Sequence, residues 1–258
     1  MTNGAWNTLA AELIKLRTLP AALITICVTV LAAAAFAAAL EAAPFDRSLT
    51  VAEATLGSVE YVQAGFIVLG VLSVASEYAG SQARTTLTSV PGRLLLMTGK
   101  AGAYLLTATA TALLTVTASC AGAWLAASTQ GTVAVGGVDT GQGAVGGAEV
   151  VAGPAGGDLA ALARAAVYLV LIGLLAQAVA ALLRDVIASL ATVLALVLVV
   201  PRFLAGVTSL ADYLPGAAGA RLYQAGPGLT PVEGGLVLAA WLTLALTAAT
   251  ISFTKRDA

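Results

Sequence analysis

The chain has 258 residues, of which 59% are hydrophobic and 10% charged, with a mean hydropathy of +0.96 and a formal net charge of −1. Soluble proteins average about 45–50% apolar and about 25% charged residues, so this is the composition of an integral membrane protein, and its near neutrality gives no whole-chain attraction to nucleic acid or an anionic surface. Histidine is absent and the two cysteines, Cys27 and Cys120, lie inside apolar runs, which excludes a disulfide framework and leaves no obvious metal site or histidine-based acid–base chemistry.

From the amino terminus, Leu9, Leu13 and Leu16 recur at i, i+4 and i+7, with Trp6 one turn earlier and Glu12 and Lys15 on the other face. The pattern predicts an amphipathic helix over 6–18 lying in the membrane interface. Lys15 and Arg17 precede an uncharged run, and Pro20 marks the bend into a first span over 21–40. That run exceeds the roughly 7–15-residue core of a secretory signal peptide, the competing reading. At about −0.3 to −0.6 kcal/mol for each Leu, Ile, Val and Phe, its insertion is favoured by only about 2–5 kcal/mol, so this alanine-rich helix needs neighbours.

Residues 41–60 carry Glu41, Asp46, Glu53 and Glu60 against Arg47 alone and read as an acidic loop with room for a short helix. A second span over 61–76 covers only about 24 Å of a hydrocarbon core about 30 Å thick. Glu60 or Glu77 is therefore expected at an interface or in a protein-lined cavity. Residues 75–100, ASEYAGSQARTTLTSVPGRLLLMTGK, form the longest polar interruption between apolar runs, with a helical stripe of Ala83, Leu87 and Val90 closed by Pro91 and Gly92. They predict a helix outside the bilayer, with a plain solvated loop as the other reading. A third span occupies 101–127.

Residues 128–158 contain ten Gly, one Pro and three acids without a base, and predict a flexible external loop. Gly141, Gly143 and Gly146 in this loop match a dinucleotide-binding spacing. The match is rejected because no strand precedes it and no helix follows. Gly92 with Gly99 and Lys100 similarly misses the phosphate-binding loop, with six intervening residues and Ala101 where Ser or Thr should stand.

Residues 165–201 would measure about 55 Å as one helix, so the charged pair Arg184 and Asp185 marks a tight turn between spans over 165–183 and 186–200. Residues 202–233 are punctuated by Pro215, Gly216, Gly219, Gly226, Pro227, Gly228 and Pro231. Short helices over 203–213 and 217–225 would be re-entrant where protein covers their backbone. The sixth span is 234–253.

Six spans put both termini on one side. That side, with the 75–100 stretch and the Arg184 turn, carries eight bases and four acids, against four bases and nine acids on the other. The positive-inside rule makes the termini and the 75–100 stretch cytoplasmic. The expected topology is multi-pass.

Several of these residues resemble a family. A span ending in Ser76-Glu77-Tyr78, then Gly80, then Ala83-Arg84-Thr85-Thr86-Leu87 and Val90-Pro91 before a basic residue, is similar to the first cytoplasmic loop of an ABC type-2 exporter permease. The wording Tyr213-Leu-Pro215, Ala225-Gly-Pro227, Leu229-Thr-Pro231 and Gly234-Gly235, with the ending Lys255-Arg256-Asp257-Ala258, resembles the actinobacterial type. Ala79 departs from the pattern, since these loops often carry a basic residue there.

The resemblance implies that 80–90 is a coupling helix docking on a separate ATP-binding subunit, with Glu77, Tyr78, Gly80, Ala83, Arg84, Thr85, Leu87 and Val90 as contact residues. Arg184 and Asp185 are a candidate second contact. It implies two permease copies, as a homodimer within a four-subunit complex in the bacterial cytoplasmic membrane, and ATP and magnesium held by the partner, with no cofactor and no hydrolysis in this chain. The expected fold is an all-α membrane protein: one transmembrane domain over 1–258 with six transmembrane helices, the interfacial helix, the coupling helix between spans two and three, and re-entrant helices before span six. Gln63, Thr107, Thr111, Thr115 and Gln177 are candidates for a translocation path, although Ser and Thr also serve as glue between membrane helices. Apolar walls suit an amphipathic or lipid-like small molecule or peptide. The rivals are a membrane receptor or immunity-type binding protein that moves nothing, and an ion-coupled transporter, which needs a carboxylate deep inside a span. On the spans predicted above, none is present.

Overall fold

Apolar runs this long leave the backbone one way to satisfy its N–H and C=O groups within lipid, which is to bond to itself as helix. The computed structural model describes residues 2–43, 49–75, 93–129, 156–205, 207–224, 226 and 228–256. Among the described residues there is no strand, and six helices are long and apolar enough to cross a membrane. This is the architecture of a multi-pass membrane protein.

Helix α1 (Thr2–Thr18) stops at Leu19, whose extended backbone (φ −77°, ψ 111°) breaks the run. Helix α2 (Pro20–Ala42) then starts on proline, where the missing N–H costs nothing. Helix α3 (Val51–Ala75) starts ten residues earlier than the acidic composition of 41–60 predicts. The cause is a capping box. Thr50 N donates to Glu53 Oε2 at 2.9 Å and Glu53 N to Thr50 Oγ1 at 3.2 Å, so Glu53 opens the helix and does not belong to a loop. The second span is thus long enough to cross, and Glu60 lies inside it.

Helix α4 (Arg93–Thr129) likewise starts ahead of the expected span, eight residues before 101, with Arg93 and Lys100 in its opening turns. Helix α5 (Gly156–Leu183) starts nine residues ahead of the expected 165, with Asp158 in its first turn where the helix dipole favours an anion. A two-residue turn at Arg184 and Asp185 leads into α6 (Val186–Leu194), a π-turn (Ala195–Val199) and α7 (Val200–Leu204). A 3-10 turn (Ser209–Tyr213) and the short α8 (Pro215–Ala220) stand where longer helices over 203–213 and 217–225 are expected. Helix α9 (Pro231–Arg256) starts on a second capping box, Thr230 with Glu233, three residues before the expected 234.

The centre of the bundle is α3 with α5. In each, 61% of the apolar window is buried, against 17% for α2 and α9. Small residues set the crossings: a Cβ on Gly70 would lie 2.1 Å from the Gly173 carbonyl oxygen, and one on Gly122 2.3 Å from that of Ala34. Around these contacts Phe66, Ile67, Leu69, Tyr104, Tyr168, Leu169, Ile172 and Leu175 fill the core.

Candidate functional site

At one end of the bundle α1 packs on the start of α4, close enough that a Cβ on Gly99 would meet Thr8 and one on Gly102 would meet Leu9. Here Lys100 Nζ lies 3.0 Å from Glu12 Oε1 with both side chains about nine-tenths buried. The expectation that Glu12 faces away from the leucine stripe is wrong. Residues three and four apart share a helix face, and Glu12 falls three after Leu9 and four before Leu16. The residues expected to form the coupling helix, Glu77, Tyr78, Gly80, Ala83, Arg84, Thr85, Leu87 and Val90, lie outside the described residues. Lys100 stands eight residues after Gly92, so the buried pair sits at the foot of that segment.

The turn between α5 and α6 carries the other residues expected to meet a partner. Arg184 takes φ 57°, the left-handed region that side chains other than glycine rarely adopt. Asp185 caps α6, accepting a bond from Ala188 N at 2.7 Å. That bond gives Asp185 a structural role in starting the helix.

The opposite end of the bundle holds a polar cluster built by four elements. Tyr168 on α5 donates a hydrogen bond to Gln63 Oε1 on α3, and Gln63 Nε2 donates to the Glu60 carbonyl at 2.8 Å. Tyr223, just beyond α8, packs its ring 5.4 Å from that of Tyr168. Burial, and then the nearby Glu60 carboxylate, push the Tyr223 phenol up from its ordinary value. The Glu60 carboxylate itself pairs with Arg202 on α7. Arg221 stands 3.7 Å from Asp212, tying the turn after α8 to the 3-10 turn, and Trp241 Nε1 donates to the Tyr213 carbonyl at 2.9 Å.

Glu60 therefore lies within the second span-length helix, nine residues from its start, and not in a loop before it. It is not the lone buried acid that a proton carrier needs, because Arg202 compensates it.

The structure places the residues expected to line a path within a single chain's packing. Thr107, Thr111 and Thr115 each donate to the carbonyl four residues earlier, at 2.9, 2.8 and 2.7 Å, and Thr111 and Thr115 are buried. Gln63 and Gln177 are buried as well, and Gln177 Oε1 has no hydrogen-bond partner. Ser58 donates to Ser119 at 3.2 Å and Thr55 to Cys120 Sγ at 3.5 Å, contacts that join α3 to α4.

No protein-family model matches the sequence, and no curated protein matches it either. Two ion pairs escape the sequence reading, Glu12–Lys100 and Glu60–Arg202. The signal for the first is the position of Glu12 beside Leu9 and Leu16. For the second it is the Thr-x-x-Glu spacing at 50–53, which carries the helix past Glu60.

Proposed function

We propose that this chain is the membrane subunit of an ATP-driven exporter, with two copies pairing in the cytoplasmic membrane of a bacterium, termini inward, and separate ATP-binding subunits docking below. The observation that carries the reading is the buried Glu12–Lys100 pair, which ties the amphipathic α1 to the foot of α4. A loop between spans two and three can transmit a partner's closure only if its base is stiff, and a buried ion pair between two helices supplies such a base. The excess of bases at this end supports its placement in the cytoplasm. The sequence resemblance at 76–91 supplies the reading of the loop as a coupling helix, with Ala83, Leu87 and Val90 as knobs for a groove and Arg84 and Glu77 fixing register. Chemistry is assigned to the partner, which holds ATP and magnesium.

The test is copurification from the native membrane. An exporter subunit brings down an ATPase whose hydrolysis rises when this chain is present in lipid. A receptor or immunity-type protein brings down none, and that result would end the exporter reading.

A further inference from the structure

The Glu60–Arg202 pair has no role in the reading above. Along α3, Glu60 lies nine residues from Val51 and fifteen from Ala75. At 1.5 Å per residue the helix is about 37 Å long, about 7 Å more than the hydrocarbon core. With that surplus projecting beyond Val51, Glu60 lies within about 6 Å of the hydrocarbon edge, in reach of a headgroup. Arg202 is sixteen residues from Val186, about 24 Å, level with Glu60 at about 22 Å from Ala75. An ion pair held for packing alone would be sealed within the bundle. This one is open, its side chains 47% exposed at Glu60 and 63% at Arg202. Their chain neighbours Tyr61 and Phe203 are also exposed, and the Tyr61 ring stacks on Phe36 with centroids 4.7 Å apart. Both charges are thus open, each with an exposed aromatic residue beside it in the chain, and Gln63 donates to the Glu60 backbone carbonyl.

We propose that Glu60 and Arg202 bind the headgroup of a zwitterionic phospholipid. The guanidinium takes the phosphate, which matches its planar fork, and the carboxylate takes the ammonium group. An acyl chain lies along the stacked rings of Tyr61 and Phe36. Charge complementarity selects this occupant. A ligand with one charge would part the pair and leave the other member uncompensated at membrane depth, whereas a headgroup with both charges replaces one ion pair with two. The proposal names the class of molecule that the exporter reading leaves open. It rests on that reading for transport but not for binding.

Native mass spectrometry of the purified, delipidated full chain tests it, with phosphatidylethanolamine, phosphatidylglycerol or diacylglycerol added at equal concentration. Retention of phosphatidylethanolamine is expected to exceed that of the other two by about five-fold or more, the size of preference that compensated charge gives. Arg202→Gln should abolish the preference. Glu60→Gln should turn it toward phosphatidylglycerol, because the arginine then stands alone. The charge swap Glu60→Arg with Arg202→Glu should keep phosphatidylethanolamine bound if both variants insert, and the order of elution on gel filtration reports folding. Equal retention of the three lipids, or a preference unmoved by Glu60→Gln, would overturn the proposal. Selective binding without a copurified ATPase would leave the site standing and remove the exporter reading, and unselective binding with a copurified ATPase would do the reverse.

Discussion

Lys100 and Glu12 are separated by 88 positions in sequence and 3.0 Å in space, and the contact is almost closed to solvent. Breaking a buried pair by removing one partner leaves an uncompensated charge, at a cost of about 3–5 kcal/mol, whereas replacing both by apolar residues is often neutral. Glu12→Leu and Lys100→Met should each lower the melting temperature of the detergent-solubilised chain, and the double variant should recover most of the loss. Equal, additive losses would show that the two side chains do not act as a pair.

Arg84 belongs to the proposed coupling helix. Arg84→Glu should leave expression and membrane insertion unchanged while lowering ATP hydrolysis by the copurified partner at least about ten-fold, the effect of one reversed charge at a docking surface. Stimulated hydrolysis at the wild-type level would place the contact elsewhere in the loop.

Gly70 and Gly173 let α3 and α5 touch backbone to backbone. Gly70→Ala would place a methyl group 2.1 Å from the Gly173 carbonyl oxygen, so the helices must part, at about 1–3 kcal/mol for overpacking of this kind. Gly57→Ala meets only the end of the Leu40 side chain, at 3.0 Å, and should be tolerated. Thermal unfolding of the two variants side by side measures the difference.

The buried bond from Tyr168 to Gln63 predicts an asymmetric response. Tyr168→Phe strands the Gln63 carbonyl and should cost about 1–3 kcal/mol, while Tyr168→Phe combined with Gln63→Leu should cost less than the single change. Denaturant titration followed by Trp241 fluorescence checks it, since that indole is bonded to the neighbouring segment through Tyr213.

The helices themselves are legible in the sequence because lipid leaves an apolar run of twenty residues little alternative. Their ends are harder, since composition and capping pull in opposite directions. Counted as charges, Glu53 and Glu233 belong to loops; three residues after Thr50 and Thr230 they open helices, and the hydrogen bonds decide for the cap. Glu12 is misassigned for a different reason: a polar residue is expected to face water, yet helix geometry puts it beside Leu16, and Lys100, remote in sequence, makes its burial tolerable. Long-range pairs of this kind carry no local pattern. The same holds for Glu60 and Arg202, which meet only because two helices are level.

Pro201 has a consequence for that meeting. Lacking an N–H, it leaves the Val197 carbonyl without its usual partner, and Val200 N reaches back five residues to Ala195. The wider loop absorbs one residue more than an ordinary turn would. Pro201→Ala restores the donor, and if the segment rewinds to a regular helix, every residue after it rotates by about 100°. Arg202, the very next residue, would then swing off Glu60, so the proline before it is expected to set whether the two charges meet.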